Sequence, residues 1–386
     1  MSTIYDQVHG YIDISEFQNI IDTPEFQRLR NIKQLGACNY VFPSATGTRF
    51  EHSIGVYYLT DRIIKAILKN APESGLFRHS SIDKDKYCLI RLAALIHDMG
   101  HGPFSHLWDD LCIKNGNHQD HEFRGIEIFK WMNSKYSLKY SHDDIEFLSE
   151  LVNPDIMKHP HKHHDCWMYQ IVANKESGLD TDKMDYLIRD SRVVGLDINK
   201  EDIYRVIDSA TIVDNVICFP RKKFYSRTIF NLFETRFKLH NALYQHPTVR
   251  GIELQIMDAL NMNDSVLDIL KSKNFQNVIE IFCSIDDSII EKIQYMKKPG
   301  YELITALKNR ELYSLKGNYN VADSEIEVPK GWILDAVKMS YNSEGTNPMK
   351  KVLFYREGGL TSCANPESYI EPRSYCQKFY RLYKPL

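Results

Sequence analysis

The chain has 386 residues, length for two to three domains at about 150 residues each and enough to bury a core without metal or disulfide staples. Hydrophobic residues make up 43% and charged residues 26%, which excludes the disordered and collagen-like classes. Lys plus Arg (48) against Asp plus Glu (51) leaves a net charge of −3, with no run of five basic residues, so a small charged molecule is a better partner than duplex nucleic acid.

The start, Met1-Ser2-Thr3-Ile4-Tyr5-Asp6, lacks the basic and apolar regions of a secretory signal. The longest strictly apolar run, Leu92 to Ile96, is far below the roughly 20 residues of a membrane span, so a cytosolic or nuclear location is expected. Asp22-Thr23-Pro24-Glu25 supplies an N-cap residue and a proline at the first helical position. Phe26, Leu29, Ile32 and Leu35 then recur at helical spacing up to Gly36, which predicts one amphipathic helix. A longer helix is expected from Arg49 to Asn70, and an almost wholly apolar, buried one from Tyr87 to Ile96. Further helices are expected at residues 123–134, 143–151, 178–194, 228–244 and 250–260, with a β-hairpin at 211–225 turning on Asp214-Asn215. Beyond Lys297-Lys298-Pro299-Gly300 the pattern alternates, at residues 333–341 and 351–355, between turn signals at Asn347-Pro348 and Gly358-Gly359. The fold class is therefore mainly α: a helical domain over residues 1–298 and a smaller C-terminal α+β lobe over 299–386 packed against it. The eight cysteines contain no C-x-x-C pair and read as reduced thiols.

Fifteen histidines are the distinctive feature of the composition, because histidine is the commonest metal ligand and the usual acid or base near neutral pH. Three His-Asp dipeptides occur, and context separates them. Ser141-His142-Asp143-Asp144 reads as a helix cap, and His164-Asp165 lies in the solvated run His159-Pro160-His161-Lys162-His163-His164. His97-Asp98 instead ends the buried helix, where polar groups are costly unless they ligate or pair. A divalent cation wants a few imidazole nitrogens and carboxylate oxygens on rigid elements, with positions left open for water and substrate. His97 and Asp98 supply two ligands, His52 at a helix start a third, and Asp182 in Asp180-Thr181-Asp182-Lys183-Met184-Asp185-Tyr186 a fourth. The bland alternative is a set of capped or core polar residues, an even bet for any one of them and a poor one for four in order.

The ordered set His52, His97-Asp98, Asp182 resembles the signature of the HD-domain metal phosphohydrolases. The surrounding motifs resemble one branch, the deoxynucleoside triphosphate triphosphohydrolases, which include animal enzymes that join a sterile-alpha-motif domain to an HD domain. The resemblance runs through Asp22-Thr23-Pro24, Gln27-Arg28-Leu29-Arg30, Lys33-Gln34-Leu35-Gly36, Arg49-Phe50-Glu51-His52-Ser53, His97-Asp98-Met99-Gly100-His101-Gly102-Pro103-Phe104-Ser105-His106, Asp182-Lys183-Met184-Asp185-Tyr186 and Tyr244-Gln245-His246, across about residues 4 to 380. No sterile-alpha-motif domain is expected within the chain. Helical spacing adds two polar stripes, Asp182, Tyr186 and Asp190 on one helix and Arg236, His240 and Tyr244 on another, for which core packing is the plainer reading. Arg49, Lys183 and Arg236 supply charge to neutralise a polyphosphate.

The resemblance implies that one transition metal (Fe, Mn or Zn) sits on His52, His97, Asp98 and Asp182, with Mg²⁺ on the substrate triphosphate. Metal-activated water would attack the α-phosphorus and expel the 5′-oxygen, giving deoxynucleoside and triphosphate. It places Gln34, Leu35, Asp190, Tyr244 and Gln245 on the sugar and base. Leu35 and Tyr244 exclude a ribose 2′-hydroxyl, and Asp190 holds the 3′-hydroxyl. His101 and His121 form a dyad oriented by Glu122, and His106 is the candidate proton donor to the leaving oxygen. Asp22, Gln27 and Arg30 correspond to a GTP activator site, their plainer reading being capping and surface charge. Ser2, Thr3 and Tyr5 stand where the animal enzymes carry a basic residue and its neighbours. Phe224 stands where a lysine is expected, with Lys222 and Lys223 nearby. Because the chain ends at Leu386, short of the tail that helps hold the animal tetramer, a dimer or a constitutive tetramer is the expected homo-oligomer. Two rival functions share these motifs: an HD phosphohydrolase on another nucleotide, and a slow nucleotide or nucleic-acid sensor. A triphosphate-sized basic pocket argues against the first, and the His101, His121, Glu122 set against the second.

Overall fold

The computed structural model describes residues 2–70, 84–155, 158, 166–196, 198–320, 326–356, 359–361 and 369–386. The histidine-rich run from His159 to His164 and the Gly358 turn signal lie outside the described residues. The fold is mainly helical, and no helix of the described residues is long and apolar enough to cross a membrane.

The chain opens with a hairpin of β1 (Thr3–Asp6) and β2 (Gly10–Asp13), followed by single helical turns α1 (Gln18–Ile21) and α2 (Pro24–Gln27). The single amphipathic helix expected up to Gly36 is a correction: after α2 the chain runs through two 3₁₀ segments with an extended residue, Ile32, between them. Tertiary contacts override the helical period here. Lys33 bridges Thr48, and the buried Arg28 guanidinium donates to the carbonyls of Met99 (3.2 Å), His101 (2.8 Å) and Ile285 (3.3 Å). The break lays Gln34 and Leu35 along the rim of a cavity.

The core is built on α3 (Arg49–Asn70) and α4 (Lys84–Ile96), whose apolar residues Leu92 to Ile96 are essentially inaccessible. After α4 come α5 (His106–Lys114), α6 (His121–Tyr136), α7 (His142–Val152), α8 (Thr181–Ser191) and α9 (Lys200–Asp208). Ser141 caps α7 through a reciprocal bond with Asp144, as the sequence suggested. Helix α3 approaches α8 so closely that a Cβ on Gly55 would lie 2.0 Å from Asp185 Oδ1. A Cβ on Gly100 would lie 1.9 Å from the His121 carbonyl, so these two glycines bring the His52, His97 and His121 elements together.

The hairpin of β3 (Thr211–Val213) and β4 (Val216–Pro220) turns at Asp214 and Asn215, both at positive φ as a two-residue turn requires. Helix α10 (Lys223–Leu239) was expected to continue to Tyr244, but its last turn, His240–Tyr244, is a π-helix, a local widening common at functional sites. Helices α11 (Pro247–Asn261), α12 (Asp264–Lys271), α13 (Ile279–Cys283), α14 (Ile289–Tyr295) and α15 (Tyr301–Lys308) follow. In the C-terminal segment, β9 (Cys376–Lys384) pairs antiparallel with both β5 (Ser314–Asn320) and β6 (Ile333–Ser340). Strand β7 (Phe354–Arg356) pairs in parallel with β4 and antiparallel with β8 (Gly359–Thr361), so strand pairing runs across residue 298. Arg250 on α11 is clamped to Asp335 on β6, at 2.9 to 3.0 Å.

Candidate active site

Three helices deliver the four predicted metal ligands to one place. His52, in the first turn of α3, is fully buried. Its Nδ1–H donates to Asp185 Oδ2 at 2.7 Å, which leaves Nε2 facing Asp182 Oδ1 at 3.0 Å and Asp98 Oδ2 at 3.5 Å. His97, just past α4, donates from Nδ1 to the Ala94 carbonyl at 2.8 Å. Its buried Nε2 has no hydrogen-bond partner and lies 3.4 Å from Asp98 Oδ1 and 3.7 Å from Asp182 Oδ1. Both imidazoles thus have one nitrogen tied to an acceptor and the other turned into a carboxylate cluster, where a bound cation would take the place of that nitrogen's proton, the arrangement of a metal-ligating histidine. His52, His97 and Asp182 each offer a ligand atom within 4.8 Å of the others. Asp98 is close to both histidines, and Arg49 Nη1 holds its Oδ2 at 2.7 Å. The donor set, two imidazoles and two carboxylates with an orphaned buried nitrogen among them, fits a borderline divalent cation.

The electrostatics agree. Burial alone would depress His52, yet its hydrogen bonds to the carboxylates of Asp182 and Asp185 and the charge of Asp98 push it up to about 10. Burial opposes His97 too, and Asp98 with Asp182 still raises it. Burial would raise Asp98, but Arg49, His97 and His101 hold it well below the usual carboxylate range. A field that attracts protons this strongly also attracts a divalent cation.

Beside the ligands lies a second cluster of His101, His106, Asp109 and His121. The His101 and His121 rings stack at 3.9 Å, and His106 meets both edge-on at 5.0 and 5.4 Å. Asp109 Oδ2 stands 2.9 Å from His121 Nδ1 and 3.5 Å from His106 Nδ1, whereas Glu122 is 3.5 Å from His121. Asp109 is therefore the nearest carboxylate to the dyad, and sequence reasoning missed it. Its place at i+3 from His106 was the available signal. Burial, Arg49 and the neighbouring His121 hold His101 well below its ordinary pKa, so its ring is neutral, whereas Asp109 raises His121 against burial. The turn before α5 is locked at positive φ in Phe104 (61°) and Ser105 (59°). Ser105 Oγ donates to the Lys33 carbonyl at 2.7 Å and accepts from Arg49 Nε at 3.0 Å, while Asp287 takes the Phe104 N–H at 2.7 Å. Strain of this kind persists where the surroundings over-determine it.

Two chambers open from this cluster. The smaller, about 130 Å³, is lined by His97, Asp98, His101, His121, Glu122 and Asp182. The larger, about 400 Å³, is lined by Leu35, Asp190, Arg236, His240, Tyr244 and Gln245, and both chambers share Gln34, Arg49, His106 and Tyr186. The Tyr244 hydroxyl donates to Asp190 Oδ2 at 2.6 Å. Burial pushes Asp190 up to about 6, and burial with Arg236 drives His240 down to about 3. Lys183 is placed differently from the other predicted residues: its Nζ pairs with Asp180 at 2.7 Å, and it lines neither chamber. Away from the chambers, Arg30 lies 3.6 Å over the Phe50 ring and donates to Gln27 Oε1 at 2.7 Å. The Gln27 amide donates to the Ile21 carbonyl at 2.8 Å, and Asp22 caps the C-terminus of α1.

The HD domain model matches residues 49–263, the stretch that carries His52, His97, Asp98 and Asp182. The chain belongs to the HD-domain family. Within it, the chain is 32% identical over 377 residues to the deoxynucleoside triphosphate triphosphohydrolase SAMHD1 homolog of Dictyostelium discoideum, covering 91% of this chain and 70% of that protein. It is 31% identical over 449 residues to SAMHD1 of Bos taurus, covering 99% and 75% of the two chains. With SAMHD1 of Homo sapiens it shares 29% identity over 446 residues, covering 99% and 70%. These relatives place it in the deoxynucleoside triphosphate triphosphohydrolase branch.

Proposed function

We propose that this chain hydrolyses deoxynucleoside triphosphates to the deoxynucleoside and inorganic triphosphate, and so lowers deoxynucleotide pools. The observation that carries the reading is the joining of the two chambers: a cation-sized cluster opens through Arg49, Gln34, His106 and Tyr186 into a cavity large enough for a nucleoside. The names of the relatives point to the same reaction.

His52, His97, Asp98 and Asp182 would hold one transition metal, Fe, Mn or Zn. When bound, such a cation supplies Lewis acidity toward the α-phosphate and a lowered pKa for water. The remaining work belongs to this chain's side chains. Arg49 and Arg236 draw the triphosphate, which brings Mg²⁺ with it, into the shared neck. The Asp190 and Tyr244 pair holds the deoxyribose, with Asp190 accepting from the 3′-hydroxyl and the Tyr244 ring filling the space a 2′-hydroxyl would need. His101, neutral and stacked on His121, is the acceptor for the proton of the attacking water, and Asp109 fixes His121 in place against that ring. As the bond from phosphorus to the 5′-oxygen breaks, His106 gives its proton to that oxygen; its side chain is 71% exposed and so free to approach the leaving group. The proposal extends to regulation: GTP binding at Asp22, Gln27 and Arg30 in a homo-oligomer, dimer or tetramer.

Purified protein with each deoxynucleoside triphosphate and Mn²⁺ or Mg²⁺, with and without GTP, tests this by anion-exchange chromatography of the products. Deoxynucleoside plus triphosphate is the expected pair. Turnover of a different nucleotide class alone favours the first rival, and stoichiometric metal without turnover the sensor. Activity indifferent to GTP in both the wild type and Arg30→Ala removes the activator site.

A further inference from the structure

The N-terminal hairpin reaches the predicted metal ligands through one buried histidine. His9 stands in the turn between β1 and β2, with a side chain 0% exposed and stacked on Tyr58 at 5.0 Å. Its Nε2 lies 2.6 Å from Asp185 Oδ1, and its Nδ1 lies 2.7 Å from the Tyr204 hydroxyl. A carboxylate only accepts, so Nε2 carries the hydrogen toward Asp185, and in the neutral ring Nδ1 takes the Tyr204 O–H. Asp185 then accepts from His9 and Arg189 Nη2 (3.2 Å) on Oδ1, and from His52 Nδ1 and Arg189 Nε (both 2.7 Å) on Oδ2. Its acceptor sites are filled, and the carboxylate is fixed in the orientation that keeps His52 Nε2 turned to the ligand cluster.

The turn itself is anchored. Asp6 Oδ1 takes the N–H groups of Val8 (2.8 Å) and His9 (2.7 Å), Asp6 Oδ2 pairs with Arg189 at 2.8 Å, and Lys200 Nζ donates to the Val8 carbonyl at 2.8 Å. We propose that His9 is a positioning residue for metal binding: acting through Asp185, it aims the His52 imidazole at the cation. The proposal rests on the metal-site reading above. Without His9, Asp185 Oδ1 keeps only the longer bond from Arg189, and the Arg189 fork alone orients the carboxylate toward His52.

The test is calorimetric titration of Mn²⁺ into the chelator-stripped full chain, as wild type, His9→Ala, His9→Asn and His9→Gln, with thermal melts of each metal-free protein. A glutamine amide reaches about as far as Nε2 and keeps a donor to Asp185, whereas asparagine reaches only about as far as Nδ1 and its Tyr204 partner. The expected result is a fall of about 10- to 100-fold in Mn²⁺ affinity for the Ala and Asn variants, with His9→Gln recovering most of it. Excess Mn²⁺ then returns kcat toward the wild-type value with KM for the nucleotide unchanged. Where His9→Ala does not fold, the Asn and Gln pair carries the comparison. Wild-type affinity in the Asn and Ala variants, or affinity that simply follows melting temperature with Gln no better than Asn, overturns the proposal. A wild type that binds no Mn²⁺ overturns the metal site along with it, so the two failures are distinguishable.

Discussion

Replacing Asp190 with asparagine should make the protein more stable, and increasingly so as pH rises. The carboxyl is buried, and burial raises its pKa to about 6 against the hydrogen bond from Tyr244. A raised carboxyl pKa means that the folded state holds the proton more tightly than the unfolded chain. The penalty is therefore absent well below the unfolded pKa near 4, grows as pH rises through the interval up to about 6, and is complete above it. Integrating a shift of about two pKa units gives roughly 1.6 kcal/mol at pH 5 and about 3 kcal/mol at pH 8. For 386 residues at about 2.1 cal/mol/K each, the unfolding entropy is roughly 0.8 kcal/mol/K, so the variant should melt about 2 °C above the wild type at pH 5 and about 4 °C above it at pH 8. Melts of both proteins in chelator across that range subtract every other titrating group. The same variant should lose deoxynucleotide turnover, because an amide is a weaker acceptor for the 3′-hydroxyl. A gap that is flat with pH, or widest in acid, refutes the assignment of a charged, poorly solvated carboxylate to this cavity.

The double variant His97→Ala with Asp98→Ala should lose bound metal and all turnover while circular dichroism stays helical, since α3 and α4 keep their apolar faces; retained activity removes the site. Asp109→Asn should lower kcat by about 10²- to 10⁴-fold by releasing His121 and His106, and Glu122→Gln by much less; equal losses would return the orienting role to Glu122. Gly55→Ala should destabilise by roughly 1–3 kcal/mol, because its Cβ would meet Asp185 at 2.0 Å. A chemical denaturation midpoint equal to the wild type would show that α3 and α8 can part without cost.

The parts of this protein that were legible in the sequence are those whose chemistry is local. Helix α3 runs from Arg49 to Asn70 as read, and α4 ends just before His97, because sustained apolar periodicity outweighs everything else in buried helices. His52, His97, Asp98 and Asp182 could be named because histidines and acids at the ends of buried helices need a partner. The segment after Pro24 was misread because its fate depends on Arg28 reaching the carbonyls of Met99 and His101, residues its own periodicity does not contain. Helix α5 was not foreseen behind the Gly102-Pro103 breaker. The supporting residues were the least legible. Asp185 meets His9 from 176 positions away in the chain, and only the close approach allowed by Gly55 brings α3 and α8 together around it. Lys183 looked free to bind phosphate until Asp180, the cap of its own helix, was seen to hold it.

The central claim, water attack at the α-phosphorus in the cavity between His101 and His106, is tested most directly by turnover of a deoxynucleoside triphosphate with Mn²⁺ in ¹⁸O-labelled water and mass spectrometry of the products. The account predicts unlabelled deoxynucleoside and inorganic triphosphate carrying one ¹⁸O. Label in the nucleoside, or orthophosphate or pyrophosphate as the first inorganic product, would contradict it.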